Sequence, residues 1–474
     1  GLYPYAPALD INISPVGYIS NYDPQTQAGY LKLSKGTTNT WNGQGGYTLN
    51  APNYYRLHTQ VLVDQWQDPE RINQNLSKLD AKTAFDYYLS ESVRATLGLS
   101  YEDDRWGRYG KETVNDTIAD TKARYQNTTA KFSIQSFNSA VGSWNYGLDV
   151  NYNRWNSIQA EPNENNITLD AHVDVKLSAH TRLRLQPNYQ VSNSDWAGNT
   201  SVLGSTIALS WRTNQNWNQL GTVIHQVDNT WQLWPRLHWD FSLAKETEVS
   251  LHANQVVEPL SAARITDTNP FTIGSSLRSP VPFDPVYKPT SILQSASISV
   301  SHQITPLLRV NPAIGYSNWI NDLNFTLIPE DSKAFGIEYV NYNAVQASLA
   351  VESSSSDNLL AFEGKATYAH FMSESDLWNR APLHISTTAR YQPFKRMSIG
   401  ITGLGNSPTS LGMNGEETIK SNWRANISAD LNFQVFKHLS LSLHADNVLD
   451  NRFEVWRGYP TFGRNLSIGL LGSF

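Results

Sequence analysis

The chain ends on Arg464-Asn-Leu-Ser-Ile-Gly-Leu-Leu-Gly-Ser-Phe474, which alternates almost strictly and stops on an aromatic. In an extended backbone successive side chains point to opposite faces. Leu466, Ile468, Leu470, Gly472 and Phe474 therefore share one face, and Ser467, Gly469 and Ser473 the other. A tilted strand of about 9–11 residues, apolar outward and small or polar inward, crosses a bilayer. A terminal aromatic suits the interfacial girdle where such a strand leaves the membrane.

The same period recurs upstream. In 422–435, Trp423, Ala425, Ile427, Ala429, Leu431, Phe433 and Val435 alternate with polar or charged residues. The runs 167–177, 182–191, 383–391 and 439–446 repeat the pattern. Soluble strands average about 5–6 residues, and several of these runs are longer. Their polar face is too charged for the buried layer of a sandwich. A water-filled lumen accepts it. The expectation is an all-β fold: a transmembrane antiparallel β-barrel of about 18–22 strands, with 210–230 ambiguous by one pair.

Composition agrees. Of 474 residues, 15 are Trp, 23 Tyr and 16 Phe, and only 16 % are charged. Mean hydropathy is negative and no apolar run is long enough for a spanning helix. A barrel tolerates both, because every second residue is polar. The chain has no cysteine, which excludes a disulfide scaffold and thiolate metal sites. A net charge of −6 gives no basic footprint for nucleic acid. Gly1 opens without a charged and apolar leader, so export implies a signal peptide already removed.

Connections are of two kinds, as two different barrel rims require. Short turns are expected at Ser90–Ser92, Ser178–His180, Lys245–Thr247, Thr305–Leu307, Phe394–Arg396 and Lys437–His438. Longer polar loops are expected over 102–121, 261–290, 321–333, 373–382, 406–420 and 449–463. Residues 1–45, with Pro4, Pro7, Pro15 and Pro24, read as an N-terminal arm or plug remnant, and 46–474 as the barrel.

Asn447-Val-Leu449-Asp450-Asn-Arg452, then Tyr459-Pro460, then Gly463-Arg464, then the strand ending at Phe474, resembles the C-terminus of TonB-dependent outer-membrane receptors. Gly29-Tyr-Leu-Lys-Leu-Ser-Lys-Gly36 and Gly45-Gly-Tyr47 resemble the passage from that family's plug to its first strand. The resemblance implies a barrel of about 22 strands and energised uptake of siderophores, cobalamin or glycans. The family's plug is expected to be missing or strongly reduced in this chain.

The candidate site is the lumen face. It carries His172, Asp174, Lys176, Arg182, Arg184, Arg424, Asp430, His444 and Asp446, charges of both signs that can set selectivity or pair across strands. The aromatic clusters Tyr87–Tyr88, Tyr101/Trp106, Trp144/Tyr146, Tyr152/Trp155 and Trp231/Trp234/Trp239 read as interfacial belts. No catalytic constellation, cofactor motif or metal spacing stands out, so no enzyme activity, cofactor or bound metal is expected. The functional expectation is uptake of a nutrient or metal chelate across the outer membrane of a Gram-negative cell. Two alternatives stand beside it: a plugless barrel acting as a structural subunit of an outer-membrane complex, and a passive diffusion pore. The expected partners are outer-membrane lipid and a periplasmic energising protein or other outer-membrane or surface subunits, with no nucleic acid.

Overall fold

No water reaches the hydrocarbon core of a bilayer, so a strand crossing it needs a hydrogen-bonded neighbour on both edges. A computed structural model of the chain meets that demand by closure. It describes residues 28–37, 39–51, 54–67, 75–107, 122–157, 163–194, 198–213, 216–227, 230–261, 264–265, 268–269, 290–328, 331–355, 359–414, 417–457, 459–461 and 463–474. One sheet holds 22 strands, all paired antiparallel. The last, Asn465–Ser473, pairs with the first, Ala28–Gly36, with Leu33 opposite Leu470. Gly29 N donates to the Phe474 carbonyl at 2.8 Å, and Phe474 N to the Gly29 carbonyl at 2.9 Å. The Phe474 ring lies directly over Gly29, in the space a side chain there would take.

The barrel starts earlier than the boundary expected at residue 46. Ala28–Gly36 and Trp41–Ala51 are its first two strands, and residues 1–27 lie outside the described residues. Ala28–Gly36 is short and carries two Lys, so its pattern is faint. It pairs with Trp41–Ala51 on one edge and with the last strand on the other. The ambiguous 210–230 region resolves into Gly198–Thr213, Asn216–Val227 and Thr230–Ala244.

The two faces differ as the alternation implies. Side chains on the convex wall splay apart, and those on the concave wall converge. Leu466, Ile468 and Leu470 are 51 %, 53 % and 53 % exposed on the outside, where lipid would cover them. Ser467 and Gly469 face in. On the outward face the apolar band ends where polar pairs begin. Asn318 donates to Gln294 at 2.9 Å, and Arg124 holds Asp103 through two bonds of 2.9 and 2.6 Å.

The rims are unequal. Two-residue turns at 91–92, 179–180, 245–246, 306–307, 395–396 and 437–438 lie on the rim that also holds Phe474. The opposite rim carries the long connections, among them 373–382, 407–423 and 447–464. The expected loop 321–333 is instead largely strand. Leu308–Ile328 and Asp331–Ser354, of 21 and 24 residues, form one hairpin that runs past the outer rim. Its sequence is polar enough to read as loop because it no longer faces lipid.

The aromatic belt is partly as expected. Tyr87, Trp144, Tyr146 and Trp231 are exposed on the outward face near strand ends. Trp155 and Trp106 are not part of it: Trp155 is 2 % exposed and stacked on Tyr125 at 5.6 Å, and Trp106 packs against buried Trp66 and Leu76.

Candidate functional site

All nine lumen candidates fall on the inward face, opposite outward Leu169, Leu183, Leu185, Ile427 and Leu443. Asp174 and Arg184, facing each other across Asn163–Ser178 and Thr181–Ser194, make a two-bond pair of 2.6 and 2.7 Å. Arg182 lies 4.0 Å from the same carboxylate. Lys176 reaches the Ser139 carbonyl near the turn rim. His172 lies across Gly147, where no side chain would fit. Asp446 accepts from Ser428 at 2.6 Å and Asn426 at 3.3 Å. Asp430 covers Gly400 and accepts from Asn432 at 3.1 Å. His444 sits between Asp430 and Ser467 in the ladder, and neither ring nitrogen has a hydrogen-bond partner among the described residues. Arg424 donates to Asn379 at 2.8 Å, reaching into the outer loop 373–382. The nine thus divide into two groups, one on the eighth and ninth strands and one on the twentieth and twenty-first. A third inward group escaped the sequence reading: Lys78 bonds Glu102 at 3.1 Å and approaches Asp104 at 3.6 Å. Parity along Asn75–Ser90 and Val93–Gly107 was the signal for it.

The outer mouth is bridged. In the long hairpin, register shifts between Trp319 and Asp322, and Asn321 takes a left-handed φ of 54°. Asn tolerates that conformation better than most residues. Beyond the shift, Leu323, Phe325 and Phe335 enter one buried apolar cluster with Trp155, Leu260, Ile265, Val455, Trp456 and Tyr459. Trp106 and Tyr125 pack against it. Trp456 meets Phe325 and Phe335 edge-on at 5.3 and 5.4 Å. Tyr125 and Phe335 belong to the sixth and sixteenth strands of 22, nearly opposite on the ring. Burial beside the cluster pushes the Tyr339 phenol up to about 12.

Under the cluster the loop 373–382 is tied to the hairpin. Arg380 donates to the Asp322 carboxylate at 2.7 Å and to the Leu323 carbonyl at 2.9 Å. Tyr342 donates to the same carboxylate at 2.9 Å, and the Arg380 guanidinium lies 4.7 Å over the Tyr342 ring. Asn324 accepts from Trp378 N at 3.0 Å and donates to the Asp376 carbonyl at 2.9 Å. Trp319 and Phe371 flank Tyr342 at 5.9 and 6.0 Å, giving a wall of rings with one cation.

No family model matches the chain, and no curated protein matches it by sequence. Solved structures do match by fold. The FrpB iron transporter from Neisseria meningitidis superposes with a TM-score of 0.74 at 10% identity, over 97% of this chain and 83% of that one. The siderophore receptor PirA from Acinetobacter baumannii gives 0.72 at 7%, over 95% and 81%. The ferric enterobactin receptor PfeA from Pseudomonas aeruginosa, in a mutant form, gives 0.69 at 11%, over 94% and 80%. The fold is that of the TonB-dependent receptor barrel.

Within this barrel, the C-terminal motif has a structural explanation. Asn447 and Asp450 both take left-handed φ, 46° and 52°. The Asn447 side chain accepts from Asn451 N at 3.0 Å and donates to the Asn451 carbonyl at 3.2 Å, closing a tight turn. Asp450 accepts from Arg464 N at 2.8 Å and lies 3.6 Å from Arg452. Gly463 leaves the room that Arg452 and Asp450 occupy. Leu449 is exposed. The motif ties both ends of 447–464 together, which fixes where Trp456 and Tyr459 reach into the mouth.

The Arg464 N–H, with the nearby Arg charges, holds the Asp450 carboxyl below the usual carboxylate range. A depressed folded value means stabilisation present above the unfolded value of about 3.9 and lost as pH falls through the folded one. Hydrogen exchange at the Arg464 amide, corrected for intrinsic rate, should therefore lose protection in acid. Asp450→Ala should show the reduced protection at every pH, by about 1 kcal/mol. An unchanged pH profile in the variant would count against this role.

Proposed function

We propose that this barrel is an outer-membrane uptake receptor that captures a nutrient, in the first place a metal chelate, and passes it inward. The bridged outer mouth carries the reading. A diffusion pore needs a standing opening, whereas here rings from nearly opposite walls share one buried cluster. The fold likeness to an iron transporter and to siderophore receptors supports the same reading. Passage requires the mouth to rearrange, and a periplasmic energising protein supplies the work.

The test pairs two measurements on the full chain. In planar bilayers the purified barrel should give no large standing current. In cells lacking their own chelate receptors, its expression should restore accumulation of radiolabelled ferric chelates, and dissipating the proton gradient should abolish it. A large constant current without accumulation would establish a pore instead. Neither current nor accumulation, with other outer-membrane proteins co-purifying stoichiometrically, would establish a structural subunit.

A further inference from the structure

Low in the lumen wall, Thr230–Ala244 and Thr247–Pro259 form a hairpin across the turn at 245–246. His238 and His252 stand directly opposite each other in its register, and Asp240 follows His238 by two residues on the same face. That face is the lumen, since Trp231, Leu233, Trp239 and Leu243 are exposed on the other. His238 Nδ1 lies 2.9 Å from His252 Nε2, and the rings are 4.3 Å apart. His238 Nε2 lies 3.2 Å from Asp240 Oδ2. One ligand atom from each of the three falls within 4.8 Å of the others.

Asp240 Oδ1 is buried and accepts no hydrogen bond among the described residues. A cation held between the three groups would occupy that acceptor.

We infer that His238, His252 and Asp240 form a binding site for a divalent transition-metal ion, of which Zn²⁺ is the representative. Imidazole suits such ions, and two His with one carboxylate is a donor set that leaves a fourth position for water. Tetrahedral bonds of about 2.05 Å place ligand atoms roughly 3.3 Å apart. The 2.9 Å contact uses His238 Nδ1 and the 3.2 Å contact uses His238 Nε2, so binding one ion requires the His238 ring to turn and present a single nitrogen to it. The side chain of His238 is 38% exposed, so lumen water and ions reach it. Ca²⁺ and Mg²⁺ are disfavoured, because they take oxygen donors. The inference concerns the wall itself and does not rest on the uptake reading.

Titration calorimetry of the full barrel in detergent should show one Zn²⁺ per chain, with Co²⁺ giving the absorption of a tetrahedral site. His252→Gln and Asp240→Asn should each weaken binding by more than about 100-fold, since even outer-shell partners of a metal cost roughly 10–100-fold. His302→Gln, outside the trio, should leave binding unchanged. Folding of each variant is checked by heat-dependent gel migration. Absence of stoichiometric Zn²⁺ binding by the folded wild type overturns the site, as does wild-type affinity in folded His252→Gln. Equal loss in His302→Gln would also overturn it, by showing diffuse binding. If instead chelate accumulation fails while Zn²⁺ binding persists, the uptake reading falls and the metal site stands.

Discussion

Trp456→Ala should open the outer mouth. The indole is buried and meets Phe325 and Phe335 edge-on, and its neighbour Tyr459 touches Phe335 at 6.3 Å. Removing a buried Trp costs about 3–5 kcal/mol where the surroundings cannot collapse. Here the ring is the main aromatic contact between the 447–464 loop and the hairpin Leu308–Ser354, beside Tyr459 on Phe335. The lost energy should therefore appear as local opening rather than as loss of the barrel, whose wall is held by strand pairing. Heat-dependent gel migration should be unchanged, while cleavage of both loops by added protease should rise at least tenfold. In planar bilayers the variant should show brief or standing openings absent from the wild type. Wild-type protease resistance in a folded Trp456→Ala barrel would remove the cluster from its role in closing the mouth.

Arg380→Ala should have an effect of similar size by a different route. Asp322 is buried and its carboxylate is held by Arg380 and by the Tyr342 hydroxyl. Taking away the cation leaves a charge that water reaches poorly, and breaking such a pair typically costs about 3–5 kcal/mol. The loop 373–382 should then detach from the hairpin, read as lost hydrogen-exchange protection at Trp378 N, which donates to Asn324. Arg380→Met combined with Asp322→Asn removes both charges and keeps most of the volume. That double variant should recover more than half of the loss. If it is no better than Arg380→Ala, packing of the Arg380 stem on Tyr342 matters more than the charge. Under the proposed function both single variants should also impair chelate accumulation, since both disturb the wall and cover of the mouth.

Much of the architecture was legible in the residues. Period-two runs such as 422–435 and 465–474 named the strands and sorted their faces. The short turns fell where Lys245–Thr247 and Lys437–His438 had marked them. Three things were misread, each for a physical reason. Ala28–Gly36 was left out of the barrel because it is short and two Lys blur its alternation. Residues 321–333 looked like a loop because a strand above the membrane has no lipid to demand an apolar face. Trp155 looked like belt because an aromatic at a strand end reads the same whether lipid or another loop covers it. The His238 and His252 pair was invisible for a related reason: no local spacing links them, and cross-strand register alone set them opposite each other.

The sequence by itself determined that the chain is a membrane barrel and which side chains point in or out, because alternation is a property of the extended backbone and needs no partner. It also carried the C-terminal turn, whose Asn447, Asp450 and Gly463 act over a few residues. Only the tertiary structure decided what meets across the ring. Trp456 reaches Phe335, and Arg380 reaches Asp322 over 58 residues of sequence. His238 faces His252. Those meetings depend on strand number, on register, and on a hairpin that leaves the wall at Asn321, and none of these is written in a period of two.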